Sequence, residues 1–187
     1  MNAVRRQRAT AVNDPARSEL LRLNDGREVI VRKIEPADSA RIAASFQLLT
    51  ADEIRRRFLN PLKALGDDHL HHLTHPAAGD EFVLVAAEPL PAGEALVGAV
   101  ARLSRDSHDS ARAEFAILVS HYLSSQGLGR LLMQRLIDWA RRHGVVELWG
   151  DVMDDNAAML ALARRLGFRR ANMVGASGLI RVSKRLP

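Results

Sequence analysis

Apolar and polar positions along the chain form runs of strand length that are separated by turns. Alternation over Glu28–Arg32 predicts a first strand. Apolar, often β-branched runs predict six more strands: Glu81–Glu88, Ala95–Leu103, Arg112–Val119, Glu147–Met153, Arg169–Val174 and Leu179–Lys184. Short, turn-rich links join the first three of these six, which favours an antiparallel meander.

Between the strands the apolar spacing changes to the period of an α-helix. The longest predicted helix covers Gly127–His143, and a second covers Asn156–Leu166 and ends at Gly167. Shorter helices are predicted from Pro36, from Thr50 with Glu53 three residues on, and over residues 67–73. Because the longest helix connects two strands, we expect those strands to be adjacent and parallel.

Length and charge indicate one domain with a basic tail. The 187 residues, 47% of them hydrophobic, are enough for a single core, which we place in residues 24–187. Residues 1–23 lack periodicity and are predicted to be a flexible extension. This extension holds five arginines and two acids, so it contributes +3 of the net charge of +5. Few aromatic residues accompany the arginines, and we expect a solvated tail rather than a nucleic-acid site.

Composition also limits the compartment and the chemistry. No apolar run reaches membrane-spanning length, and residues 1–23 carry no secretory segment. The chain has no cysteine, which excludes a disulfide framework, a cysteine nucleophile and a cysteine-ligated zinc. The sequence therefore predicts a cytoplasmic protein without a membrane partner. Its oligomeric state is left open.

Four histidines lie close together at positions 69, 71, 72 and 75. His71 and His75 are four residues apart, a spacing that would place both on one face of a helix and could suit a metal. No carboxylate-rich ligand set accompanies them. We therefore expect surface histidines and no metal site.

The turn between the Arg112–Val119 strand and the longest helix is the strongest chemical signal. The first N–H groups of a helix have no partner within the helix and lie at its positive end, so they bind anions. Gly127 and Gly129 lack Cβ atoms and would let a phosphate approach the backbone. The turn lacks the letters of a P-loop and of a dinucleotide fold. The predicted guest is a phosphate or pyrophosphate.

The letters Ser124-Ser125-Gln126-Gly127-Leu128-Gly129 resemble the acyl-CoA signature of the GNAT acetyltransferases, Gln/Arg-x-x-Gly-x-Gly/Ala. Ser124 stands where that family usually has Gln or Arg. A second stretch, from Asn156 to Phe168, resembles the family's Asn-x-x-Ala/Met-x-x-Leu helix, which ends in Gly-Phe. With Asp25-Gly26-Arg27 and Arg57-Phe58, the text is similar to the acetyltransferase domain of Pat-type protein-lysine acetyltransferases.

The resemblance implies the fold and the donor. It implies an α/β (α+β) architecture, in which a mixed, mainly antiparallel twisted sheet of six to seven strands carries a central crossover helix and flanking helices. Acetyl-CoA would lie between two diverging strands. The implied contacts are the backbones of Ile117, Leu118 and Val119 for its pantetheine arm, the loop residues Ser124, Ser125, Gln126, Gly127, Leu128, Gly129 and Arg130 for its pyrophosphate, and Asn156 from the other side. Asn156 could equally be the N-cap of its helix.

Glu114 is the candidate catalytic residue. It shares one face of its strand with Ala116 and Leu118, so its carboxylate begins an otherwise apolar row. Burial there would raise its pKa and suit it to accept a proton near neutral pH. In the family a glutamate in the same Ala-Glu-Phe setting is the general base. The alternative is a surface ion pair of Glu114 with Arg102 or Arg112.

These observations predict an acetyl-CoA-dependent N-acetyltransferase that acts by direct transfer in a ternary complex. The acceptor would be a primary amine, either a protein lysine or a small-molecule amine. A different class stays open, a catalytically inactive acyl-CoA-binding regulatory domain. The departures that motivate it are Ser124, Ser125, and Ala163 where many family members have tyrosine.

Overall fold

One eight-stranded sheet organises the chain in the computed structural model, which describes residues 14–59, 61–172 and 178–187. The strands are β1 Glu19–Arg22, β2 Glu28–Lys33, β3 Glu81–Ala87, β4 Val97–Arg105, β5 Arg112–Val119, β6 Glu147–Met153, β7 Arg169–Asn172 and β8 Leu179–Arg185. Their order across the sheet is β1-β2-β3-β4-β5-β6-β8-β7. Only the β5–β6 pair is parallel.

Helices cover both faces of this sheet. They are α1 Ser39–Phe46, α2 Ala51–Phe58, α3 Asp67–Thr74, α4 Leu128–Arg142 and α5 Ala157–Arg165. The larger apolar core joins α4 and α5 to one face, and a smaller core joins α1 and α3 to the other. Within the described ranges, no helix is long and apolar enough to cross a membrane.

The alternation of side chains along the strands decides which residues meet each helical layer. On β5, Ala113 and Phe115 belong to the core under α4, whereas Glu114, Ala116 and Leu118 turn toward α1–α3. On β6, Leu148 and Val152 are buried under α4. The sheet therefore presents Glu114 to the layer of short helices.

The predicted architecture is confirmed, with two corrections at its edge. Glu19–Arg22 lies within the predicted flexible extension, yet it forms β1, pairs antiparallel with β2 and buries Leu21 completely. The sheet consequently has eight strands rather than six to seven. A run of four residues is too short to show a periodic pattern, and its strand conformation depends on the pairing with β2. Residues 1–13 of the predicted extension and the end of the predicted Arg169–Val174 strand lie outside the described residues.

Candidate active site

The site begins where β5 and β6 separate. The two strands pair at Arg112↔Glu147, Ala113↔Leu148 and Glu114↔Trp149, and no further pair follows in the described structure. β5 continues to Val119 along β4, and β6 continues to Met153 along β8. The facing edges beyond Glu114 therefore keep their backbone groups available to a ligand.

Ile117, Leu118 and Val119 lie on this open edge of β5. They pair with β4 on the other side, and their side chains are half-buried. Ile117 and Val119 pack on the core under α4, while Leu118 lines a cavity on the opposite face. Their predicted backbone contacts with an acyl donor stay a prediction that this placement allows.

The start of α4 lies where the turn predicts an anion-binding helix end. Gly127 is its N-cap and has φ of 83°, a torsion that glycine adopts without strain. No described residue accepts a hydrogen bond from the backbone N–H of Leu128, Gly129 or Arg130, and the first turn carries no acid. Arg130 is exposed beside these amides. This end of the helix is therefore not blocked by a described side chain.

In the loop before α4, the side chains of Ser124 and Gln126 form hydrogen bonds within the protein. Ser124 Oγ donates to the carbonyl oxygen of His121 at 2.7 Å, and Ser125 holds a positive φ of 61°. Gln126 Oε1 accepts from the backbone N–H of Asn24 at 3.1 Å, which ties the loop to the β1–β2 turn. The Gln126 side chain is thus used inside the protein.

The other side of the cleft is formed by α5. Asn156 Oδ1 accepts from the backbone N–H of Met159 at 3.1 Å, so the N-cap alternative is observed. Its contact with a donor stays a prediction, for which the amide nitrogen and the second lone pair of Oδ1 remain. A Cβ on Gly129 would lie 3.4 Å from Leu162, so this glycine lets α4 and α5 pack closely. Leu128 is buried and can offer only its backbone.

Glu114 has neither of the ion pairs that its alternative interpretation requires. Arg102 pairs with Glu81, and Arg112 Nε donates to Glu147 Oε2 at 3.0 Å. Within the described residues Glu114 makes no hydrogen bond or salt bridge. Its carboxylate is open to solvent at the point where the strands separate.

The surroundings of Glu114 raise the pKa of its carboxyl above 4.5. Desolvation is the largest cause and the charge of Asp151 the second, and nearby arginines oppose them in part. Asp151 itself accepts two hydrogen bonds of 2.7 Å from Arg181. The Arg181 guanidinium lies 4.1 Å over the ring of Trp149, the residue paired with Glu114. The environment thus favours a group that can take up a proton.

Sequence reasoning missed Trp149, Asp151 and Arg181 as neighbours of Glu114. The alternation of β6 places Trp149 and Asp151 on the Glu114 face and could have indicated them. Arg181 could not be found in this way, because the insertion of β8 beside β6 is a long-range pairing.

Helix α2 connects the two sides of the cleft. On the β5 side, Glu53 accepts from the backbone N–H of His121 at 2.5 Å. On the α5 side, Arg55 donates to Asp155 at 2.6 Å. None of the residues of α2 is fully buried, so these polar contacts hold it in place.

The histidine cluster forms no metal centre in the described part of the chain. His71 and His75 stack with ring centroids 4.1 Å apart, and His75 Nδ1 lies 3.0 Å from the carbonyl oxygen of His71. No group of three or more potential ligands is found among the described residues.

This geometry suits one class of ligand. Among the described residues, the amides at the start of α4 are free and suit a diphosphate, the open edge of β5 suits an amide-containing arm, and Glu114 lies at the point where β5 and β6 separate. A mainly antiparallel sheet that opens at one parallel pair, beside a helix of this kind, defines an acetyltransferase of the GNAT class. The chain belongs to that family of acetyl-CoA-dependent N-acetyltransferases: the model described as "Acetyltransferase (GNAT) family" matches residues 49–168. The predicted resemblance is confirmed.

Among curated proteins, the chain is 30% identical over 167 residues to "Acetyltransferase Pat" of Mycolicibacterium smegmatis, covering 88% of this chain and 47% of the relative. It is 44% identical over 59 residues to the [Ribosomal protein bS18]-alanine N-acetyltransferase of Escherichia coli, covering 32% of this chain and 40% of the relative. The chain thus spans less than half the length of these relatives.

Solved structures support the fold. The GNAT domain of S. lividans PAT superposes with a TM-score of 0.78 at 23% identity, covering 90% of this chain and 97% of that one. A cAMP-binding acyltransferase from Mycobacterium smegmatis superposes with a TM-score of 0.61 at 27% identity, covering 91% and 48%. A putative acetyltransferase from Salmonella typhimurium, solved with its cofactor acetyl-CoA, reaches 0.66 at 24% identity.

Proposed function

We propose that this chain transfers an acetyl group from acetyl-CoA to a primary amine, with a protein lysine as the acceptor, and that Glu114 is its general base. The observation that carries the proposal is the position of Glu114, unpaired among the described residues and at the point where β5 and β6 separate. The lysine acceptor is taken from the motif resemblance to Pat-type protein-lysine acetyltransferases, and the similarity to "Acetyltransferase Pat" over 88% of the chain agrees with that resemblance.

The donor supplies an acetyl thioester, and the protein supplies the groups that bind the donor. The N–H groups of Leu128, Gly129 and Arg130 would bind the diphosphate, with the Arg130 side chain as an additional cation. Backbone groups of Ile117, Leu118 and Val119 would bind the pantetheine arm and the thioester carbonyl. Each of these groups lies on the open edge or at the start of α4, so one extended ligand can meet them all.

Glu114 then acts on the acceptor. A lysine arrives as an ammonium at pH 7 and cannot attack until it loses a proton. Glu114, directly or through a water molecule, takes that proton, and the nitrogen lone pair forms the new C–N bond while the C–S bond breaks. CoA leaves as a thiolate, which takes up the second proton that the nitrogen loses when the amide forms. The pKa of Glu114 lies above its ordinary value, which makes it a stronger base than a carboxylate with the ordinary pKa of glutamate. Because Glu114 is open to solvent, the side chain of a large acceptor can reach it.

A panel of amines tests the acceptor class. Purified protein would be mixed with acetyl-CoA and a lysine-containing peptide blocked at its N-terminus, an unblocked peptide without lysine, or a small diamine, and thiol release would be followed. We expect the largest kcat/KM with the lysine peptide. Preference for the unblocked peptide would favour an N-terminal acceptor, as in the bS18-alanine acetyltransferase. Tight acetyl-CoA binding without turnover would favour a regulatory domain.

A further inference from the structure

A cavity of about 50 Å³ lies on the Glu114 face of the sheet, under α1–α3. Its walls are mostly apolar and include Phe46, Leu73, Val100 and Leu118. No acidic residue in the described part of the chain lines it, whereas Arg57 from the last turn of α2 does. A cation therefore faces an apolar space beside the proposed reaction centre.

Arg57 differs from the two arginines that precede it in the chain. Arg55 and Arg56 both pair with Asp52, at 2.8 and 2.9 Å. Arg57 has no salt bridge among the described residues, and its guanidinium lies 4.9 Å from the centre of the Phe58 ring. The three side chains are adjacent in sequence, but only Arg57 turns inward.

The cavity strongly desolvates Arg57. Burial, and then the charge of Arg102, lower the pKa of Arg57 to about 10, while Glu114 opposes them. The neighbouring His69 also has a lowered pKa, mainly through burial and then through the charge of Arg57, and as a base it cannot supply a negative charge. A partly buried guanidinium that makes no salt bridge is unfavourable, and a carboxylate is the partner that its planar donors match best.

We propose that Arg57 is a specificity residue that binds a terminal carboxylate, carried on a short aliphatic arm of one of the two substrates. This inference rests on the proposed function. The volume allows an arm of about three to five heavy atoms, taking about 10–15 Å³ for each probe-sized group. A carboxylate with two methylene groups is of this size. The methylene groups would contact the apolar walls, and the Arg57 guanidinium would donate hydrogen bonds to the carboxylate.

Either substrate can bring the carboxylate. Leu118 lines the cavity and lies where the acyl group of the donor is proposed to bind, so a dicarboxylic acyl chain such as succinyl could enter. The α1–α2 segment, which supplies Phe46 and Arg57, also covers the face of the sheet that carries Glu114. An acceptor with a carboxylate a few bonds from its amine could enter from there.

Paired substrates distinguish the two sources. On the donor side, kcat/KM would be compared for butyryl-CoA and succinyl-CoA with one neutral amine. On the acceptor side, γ-aminobutyrate would be compared with its amide, using acetyl-CoA. A hydrogen-bonded charge contributes about 1.5–3 kcal/mol, so we expect a 10- to 100-fold preference for the carboxylated member in one of the two comparisons.

Arg57→Met should remove this preference and leave the neutral members within about threefold of the wild type. Arg57→Lys should retain part of it. Arg56→Met, which changes the ion-paired neighbour, should leave the preference intact. The inference is wrong if the wild type shows no preference in either comparison, or if Arg57→Met lowers all four substrates equally.

Calorimetry on the same pairs separates this inference from the proposed function. If no amine is acetylated, the proposed function fails, and the binding preference for succinyl-CoA over butyryl-CoA, or for γ-aminobutyrate over its amide, still tests Arg57. If acetylation proceeds and neither kinetics nor binding shows a preference, only the Arg57 inference fails.

Discussion

The two faces of the sheet are built for different tasks. Under α4 and α5 the core is continuous and apolar, and residues such as Leu132, Leu136 and Leu148 have no exposed area. Under α1–α3 the apolar cluster is smaller and shares its face with charges. Buried Asp38 pairs there with Arg32, Arg57 faces a cavity, and Glu114 stands unpaired within the described structure.

The difference indicates where substitutions act. Close packing under α4 makes that face responsible for stability. Unpaired and desolvated charges are unfavourable for folding, so their presence on the other face indicates function. Charges on that face that are fully paired, such as Asp38, should nevertheless behave as structural groups. The following predictions test this division.

Asp38→Asn should have the largest effect on stability. Asp38 is fully buried and accepts two 2.8 Å hydrogen bonds from Arg32 and one from the Glu35 backbone. Removing its charge takes away the buried carboxylate that neutralises the buried Arg32, which should lower the free energy of unfolding by about 3–5 kcal/mol. Urea unfolding measures this change. Glu35→Gln is the control, because the exposed Glu35 is 3.8 Å from Arg32 and should contribute little.

Leu132→Ala tests the apolar face. Leu132 is completely buried at the centre of the core under α4. The substitution should lower the free energy of unfolding by about 2–5 kcal/mol through lost burial and a cavity. The kcat of the folded protein should change less than twofold at a temperature well below its Tm. A large loss of kcat with retained stability would contradict the division between the faces.

Gly127→Ala tests the turn that precedes α4. Gly127 has φ of 83°, which costs alanine about 1–2 kcal/mol. We expect a lower Tm and, because the first amides of α4 shift, weaker acetyl-CoA binding in calorimetry. Gly66→Ala is the matched control, since Gly66 also precedes a helix but has space for a Cβ and no positive φ. Equal effects of the two substitutions would rule out a special role for Gly127.

Glu53→Gln should have the smallest effect, and that effect should depend on pH. Burial raises the pKa of Glu53, but hydrogen bonds from Thr50 and His121 outweigh it and hold the pKa below 4.5. The ionised carboxylate therefore stabilises the fold above pH 4.5, and this contribution is lost as the pH falls through the lowered pKa. At pH 7 the variant should have a free energy of unfolding about 0.5–1 kcal/mol below that of the wild type. The difference in Tm between the two proteins should shrink at pH 3. A constant difference would contradict this.

Much of the fold could be predicted because local patterns agree with it. The β-branched run of β5, the glycine turn and the amphipathic α4 specify a crossover, which returns the chain to the same end of the sheet and so makes β5 and β6 parallel. Glu114 and the turn were identified from the same stretch. These features are determined by residues that are close together in the sequence, so the local pattern is enough to predict them.

The rest depends on long-range packing. The sequence pattern of α2 does not distinguish Arg55, Arg56 and Arg57 from one another. Only the packing of the helix on the sheet decides that Arg57 lines the cavity. The surroundings of Glu114 similarly require β8 beside β6, which brings Arg181 to Asp151. Strand β1 was not predicted, because its four residues are too few to show the alternation of a strand.

The central claim is that Glu114 takes the proton from the acceptor while other groups hold the donor. The most direct test is the kcat of Glu114→Gln, measured together with its Kd for acetyl-CoA and with Glu147→Gln as an ion-paired control on β6. The account predicts a loss of about 10²- to 10⁴-fold in kcat for Glu114→Gln, an unchanged Kd, and a change below threefold for the control. Full activity of Glu114→Gln would contradict it.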